Sequence, residues 1–204
     1  MKTTSPLLVI ATAIALVTSA CSSAAPAESP TLTAPTVTAS ASPTPEAPVG
    51  FAITSADFAD GEDLEAWASA NAFGGQCSGD NLNPALEWQE LPEGTVAVAI
   101  TMLDASAGNY VHWVHTDIPV DVTSVDRGSS ATLTGVPGRN QADGADGYFG
   151  PCPPGPNHRY VFTVWALDAP TGLEAGFSYY DWLTASRDHV LGSAEITGMY
   201  HGSA

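Results

Sequence analysis

The chain has 204 residues, 44% of them hydrophobic, and carries 22 acidic residues against five basic ones for a formal net charge of −17. One lysine and four arginines cannot form the cation cluster that grips a nucleic-acid backbone, and so acidic a body is repelled by anionic lipid surfaces within a Debye length. Nucleic acid is therefore excluded as a partner, and an anion can be held only by a few donors converging at one place.

In chain order, the first element is an export segment. Lys2 precedes an apolar run from Leu7 to Val17, followed by Thr18-Ser19-Ala20-Cys21. The run is shorter than the roughly 20 apolar residues a mature transmembrane helix needs, and small residues before a cysteine suit a signal peptidase. Residues 1–20 therefore read as a signal peptide. The pattern resembles a bacterial lipoprotein signal, departing from it at Thr18, where leucine is usual. That resemblance implies cleavage before Cys21 and a lipid of the palmitate type on its sulfur, anchoring the protein to the outer face of the cell membrane, with plain secretion as the alternative. Residues 21–49 continue as Ser, Thr, Ala, Pro and Glu without an aromatic residue, a composition that cannot bury a core and reads as a solvated tether reaching up to roughly 90 Å. Loss of residues 1–20 removes Lys2 and leaves four arginines against 22 acids, a net of −18.

Residues 50–204 are enough for one compact core. The acidic run Asp57 to Asp63 reads as a solvated turn, because Ala56 stands where a calcium-binding EF-hand loop needs its first ligand, and Asp63 to Asn71 reads as a helix. Val96 to Leu103, Val111 to Ile118 and Tyr160 to Leu167 are β-branched or apolar on both faces, as strands covered on both sides should be. Turn signals at Leu91-Pro92-Glu93-Gly94 and Val136-Pro137-Gly138 separate such runs, so the domain is mainly antiparallel β. Asp143-Gly144-Ala145-Asp146-Gly147 reads as a turn, with a weak calcium site as its alternative. A second helix is expected from Tyr180 to Leu191, with Gly192 as its stop.

Three cysteines are present, and Cys21 belongs to the export signal. In an exported protein the other two, Cys77 and Cys152, are expected to pair, closing a loop for which chain entropy alone gives about 4 to 5 kcal/mol. Their spacing fits neither a CxxC redox motif nor a zinc site.

Three segments carry the candidate chemistry: Cys77 to Trp88, Tyr110-Val111-His112-Trp113-Val114-His115-Thr116-Asp117-Ile118-Pro119, and Gly150-Pro151-Cys152-Pro153-Pro154-Gly155-Pro156-Asn157-His158-Arg159-Tyr160. The last is the most informative, because prolines with fixed φ deliver His158 and Tyr160 to the start of a strand on one face, with Arg159 on the other. Arg159 is expected to pair with a carboxylate. Period two likewise puts His112 and Val114 on one face and Trp113 and His115 on the other, so His112 and His115 should point apart and form no metal pair.

Taken in this order, the three segments resemble the phosphatidylethanolamine-binding protein family, in its bacterial Raf-kinase-inhibitor-like branch, over roughly Phe51 to Tyr200. The resemblance implies a large central antiparallel sheet with a smaller sheet packed on it and short peripheral helices. It further implies a pocket for phosphate or a phospholipid head group lined by His112, His158 and Tyr160, which can donate to phosphate oxygens. Backbone N–H groups of the loop that Gly150 and Pro151 open are expected to join them. Asp104 matches the first carboxylate of the family's Asp-Pro-Asp-Ala-Pro loop and is expected to orient His112 or meet a ligand amine. Here, however, the loop reads Asp104-Ala105-Ser106-Ala107-Gly108, without the second carboxylate or either proline, and Tyr110 replaces a tryptophan.

The function expected is that of a non-enzymatic extracytoplasmic binding protein without cofactor, related to kinase- and protease-inhibitor modules, for which a protein partner is a further expectation. The alternative is a hydrolase using His112 or His158 as general base, Asp104 behind it and Ser106 as nucleophile. The chain has no Gly-x-Ser-x-Gly elbow, phosphate-loop lysine or His-Glu-x-x-His motif.

Overall fold

A computed structural model describes residues 50–155 and 157–202, so the expected signal peptide, Cys21 and the expected tether lie outside the described residues. The elements are β1 (Ala52–Thr54), β2 (Asn71–Ala72), β3 (Cys77–Ser78), β4 (Leu86–Gln89), β5 (Ala97–Asp104), β6 (Tyr110–Pro119), β7 (Ser124–Val125), β8 (Val136–Pro137), β9 (His158–Leu167), α1 (Tyr179–Ser186) and β10 (Val190–Tyr200). A five-stranded antiparallel sheet runs β10-β9-β5-β6-β8, and a three-stranded sheet runs β1-β4-β7.

The apolar character of β5 on both faces follows from its central place. Val98, Ile100 and Met102 face the small sheet, meeting Trp88, Trp113, Phe162 and Ile196 in the main core. Ala97 and Ala99 face the other way, toward Trp182 of α1 and Phe177. The molecule is thus layered as small sheet, large sheet and helix, and the mainly β architecture expected from the sequence is what the chain adopts.

Two helix expectations are corrected. Within 63–71 only Ala66–Ala68 form a single 3₁₀ turn. The backbone before it is engaged elsewhere: Leu64 N–H donates to Met199 O at 2.7 Å and Met199 N–H to Glu62 O at 2.8 Å, laying this segment along β10. The acidic run is also less solvated than expected, since Asp57 accepts from Ala85 N–H at 2.7 Å and pairs with Arg127. The second helix begins at a capping box, Ser178 with Asp181, and ends at Ser186. Beyond it the chain enters the strand Val190–Tyr200, with Gly192 at a bulge instead of a helix stop.

The expected alternation along β6 is broken by two bulges. Met102 pairs with Trp113 but Leu103 with Val111, leaving His112 as the extra residue; Val98 pairs with Ile118 and Ile100 with His115, and Asp117 in that second bulge has φ 54°. The first bulge turns His112 to the face of Tyr160, the rings lying 5.1 Å apart, while His115 opposes Ile100 on that same face. His112 and His115 therefore share a face, contrary to the period-two expectation, and are separated by function: His112 lines a cavity and His115 is buried against Gly135.

Neither ring nitrogen of the buried His115 has a hydrogen-bond partner of good geometry. Burial pushes its pKa down to about 4, and the Thr134 backbone offsets only part of that. An unfolded imidazole takes its proton near 6.5, so the stability linked to His115 is complete above that pH and is lost as pH falls through about 4. Denaturant unfolding at pH 7 and pH 4 should show a loss to which His115 contributes up to about 3 kcal/mol. The same comparison on His115→Gln should show a smaller pH effect; an identical loss in the variant would contradict this account.

Candidate anion site

The site lies where β5 ends and β9 begins. Asp104, the last residue of β5, is in register with both Tyr110 at the start of β6 and Tyr160 of β9. Its side chain is only 4% exposed. Oδ1 accepts the N–H groups of Ser106 at 2.9 Å and Ala107 at 3.1 Å, capping the 3₁₀ turn Ala105–Ala107, and Gly108 closes that turn with a φ of 68°. Oδ2 receives Nδ1 of His158 at 2.6 Å. Asp104 thus orients His158, not His112 as expected.

His112 is held instead by the chain opposite. Its Nδ1 lies 2.8 Å from the Phe149 carbonyl, and only a protonated Nδ1 can donate there. Burial lowers its pKa below 6.5, with the Phe149 carbonyl and the Asp104 charge opposing the shift. In the free protein His112 is accordingly neutral over most of the physiological range, and its Nε2 carries a lone pair. The same reasoning leaves Nε2 of His158 as that ring's second functional atom, because Asp104 fixes Nδ1 as the protonated one. Tyr160 is fully buried, and its hydroxyl has no hydrogen-bond partner of good geometry. Burial, and then the nearby Asp104 carboxylate, push the phenol far above its ordinary pKa, so it is a donor at any working pH.

These groups line one cavity of about 210 Å³, closed further by Phe73, Tyr110, Phe149, Cys152, Pro153 and Pro154. Cys152 is bridged to Cys77, with Cα atoms 5.7 Å apart, so the disulfide forms part of the cavity wall. Of the candidate ligand residues, Asp104, His112, His158 and Tyr160 come together, whereas Gly150 and Pro151 do not line the cavity. Gly150 donates its N–H to Asn81 Oδ1 at 2.8 Å, its backbone adjoins the His112 ring, and a Cβ there would meet the Ala68 carbonyl at 2.1 Å. The Pro151 carbonyl accepts from Ala70 N–H at 3.0 Å. Phe73 and Phe149 stand outside the residues that the sequence motifs single out; an aromatic residue beside two glycines, and another beside the Gly150 turn, are the signals that mark them.

Ser106 is exposed, accepts the Arg159 N–H at 3.1 Å and does not line the cavity. The hydrolase alternative therefore gains an Asp–His pair but no positioned serine. Arg159 is exposed and forms no ion pair among the described residues, so its expected carboxylate partner is not found. Residues 142–145 are shaped by Asn140, whose Oδ1 accepts from Ala142 and Asp143, and by Asp143 itself, which accepts from Ala145. Among the described residues no three His, Cys, Asp or Glu side chains are grouped as a metal site.

The class of fold observed is a mainly β domain with a histidine- and tyrosine-lined cavity at the end of the central strands of its large sheet. Within that class, this chain belongs to the phosphatidylethanolamine-binding protein family, whose sequence model matches residues 54–201. It is 38% identical over 164 residues to the UPF0098 protein YbcL of Escherichia coli, covering 74% of this chain and 87% of that one. It is also 39% identical over 130 residues to a UPF0098 protein of Methanothermobacter thermautotrophicus, covering 61% of this chain and 85% of that one. The crystal structure of YbcL, described as a member of the mammalian family, superimposes with a TM-score of 0.70 at 31% identity, over 76% of this chain and 99% of its own. The family homologue CT736 of Chlamydia trachomatis gives 0.66 at 26% identity, over 76% and 99%.

Proposed function

We propose that this protein is a non-enzymatic extracytoplasmic binding module whose cavity takes a phosphate group, free or as part of a phospholipid head group. The observation that carries the reading is that His112, His158 and Tyr160 line one small cavity, with Nδ1 of each histidine bonded to the protein and the Tyr160 hydroxyl without a hydrogen-bond partner of good geometry. Each histidine has that nitrogen tied down, so little ordering entropy is lost on binding. Tyr160 donates at once. An anion that reaches Nε2 of His112 must bring a proton or recruit one, because that atom is a lone pair in the free protein. Binding is thereby linked to proton uptake: affinity is highest below the depressed free-state pKa of His112 and declines as pH rises through the higher pKa of the bound state.

Titration calorimetry with inorganic phosphate and glycerophosphoethanolamine between pH 5 and 8 tests this and separates the two sources of phosphate. A charge-assisted bond to phosphate contributes about 1.5 to 3 kcal/mol, so His158→Ala or His112→Ala should weaken binding about tenfold or more. His189, which pairs with Asp168 away from the cavity, is the control, and His189→Ala should bind as wild type does. Affinity independent of pH, or equal effects from all three substitutions, would contradict the reading.

We further propose that the domain works tethered to the outer face of the membrane through a lipid on Cys21, which the run Leu7 to Val17, the small residues before Cys21 and the tether after it support. Cys21→Ser should move the protein from the membrane fraction to the medium. An unchanged distribution would count against the anchor.

A further inference from the structure

The cavity does not end at its own walls. Phe73, Cys152, Pro153 and Pro154 are shared with an adjoining groove of about 750 Å³, whose remaining lining residues are Gly75, Gln76 and Cys77. Among the described residues no ionisable side chain lines the groove: its walls are an aromatic ring, two prolines, the disulfide, a glycine and one amide. Phe73 reaches the junction because three successive residues turn left-handed, with φ of 54° at Phe73, 68° at Gly74 and 95° at Gly75. Its ring is 55% exposed and lies 6.1 Å from Phe149, which in turn neighbours His112. Aromatic rings therefore extend from His112 through Phe149 and Phe73 to the edge of the groove.

The charges on the cavity side point the same way. Asp104 is the one acid lining the cavity among the described residues, and its nearly buried carboxylate is already committed to two backbone N–H groups and to His158. Three of its roughly four acceptor positions are thus occupied, which leaves little capacity for a ligand ammonium. Ser106, the next polar side chain after Asp104, lies outside the cavity.

The geometry points to a ligand in two parts, a phosphate group in the cavity and, esterified to it, an uncharged apolar group lying in the groove over Phe73 and the Cys77–Cys152 bridge. This rests on the phosphate reading of the cavity and adds the chemistry of the substituent. The groove shares four lining residues with the cavity, so a group bonded to the phosphate can extend into it. An apolar group gains with each methylene it buries there, whereas an ammonium would give up hydration against walls that hold no charge for it.

Calorimetry at one pH with inorganic phosphate, n-propyl phosphate and phosphoethanolamine tests the inference, because the two esters are near-isosteric and differ in a terminal methyl against a terminal ammonium. Wild type should bind propyl phosphate about tenfold more tightly than phosphoethanolamine, and Phe73→Ala should bring that ratio close to one. A ratio of one or below in wild type overturns the inference, as does a ratio that Phe73→Ala leaves unchanged. If inorganic phosphate fails to bind at all, the phosphate reading falls and takes this inference with it; if phosphate binds and the ratio is absent, only the groove inference falls.

Discussion

The carboxylate of Asp104 is the point on which the site depends. It terminates β5, caps the turn that leads to β6 and holds His158 at the entry to β9, so one side chain connects the three central strands where they meet the cavity. Three hydrogen bonds to a buried carboxylate offset the cost of removing its charge from water, and losing any one of them would leave that charge less compensated. The same bonds set the chemistry. With Nδ1 of His158 committed to Asp104 and Nδ1 of His112 to Phe149, both rings offer Nε2 as the remaining polar atom.

The anion site proposed for so acidic a protein contains an apparent contradiction, which length scales resolve. Net charge of −17 acts over the whole surface and is screened by salt within about 10 Å, whereas the cavity acts over hydrogen-bond distances. None of the four arginines lines the cavity. In the proposed site recognition therefore rests on groups whose charge is conditional, so that ligand and proton would be bound together. Coupling to pH follows from the choice of histidine over lysine or arginine and from the depth at which His112 is buried.

The long central strands are legible in the sequence because their residues are apolar on both faces and turn residues bound them. The Cys77–Cys152 pair is legible from the cysteine count and the export expected from the N-terminal segment. The bulge at His112 is not, since a period-two reading presumes an unbroken ladder and an inserted residue leaves no mark in composition. β10 is hidden for a related reason: Gly192-Ser193-Ala194 and Gly198 interrupt its apolar pattern, yet they are where the strand bulges or packs closely, and a Cβ at Gly198 would meet Leu64 at 2.5 Å. Residues 63–71 have helical composition, but tertiary hydrogen bonds to β10 override that local preference. At the site, the residue types of the cavity are readable from the motifs, while which carboxylate serves which histidine depends on register and is visible only in three dimensions.

His112 is central to this account: it presents a lone pair to the cavity and gains a proton when an anion arrives. Long-range ¹H–¹⁵N NMR of the histidine rings measures this directly, because imidazole nitrogen shifts distinguish the two tautomers and the imidazolium. At pH 7 the free protein should show His112 as the Nδ1–H tautomer, and saturating phosphate should shift its Nε2 to a protonated, hydrogen-bonded form. A His112 already in the Nε2–H tautomer, or an Nε2 unchanged at saturation, would contradict it.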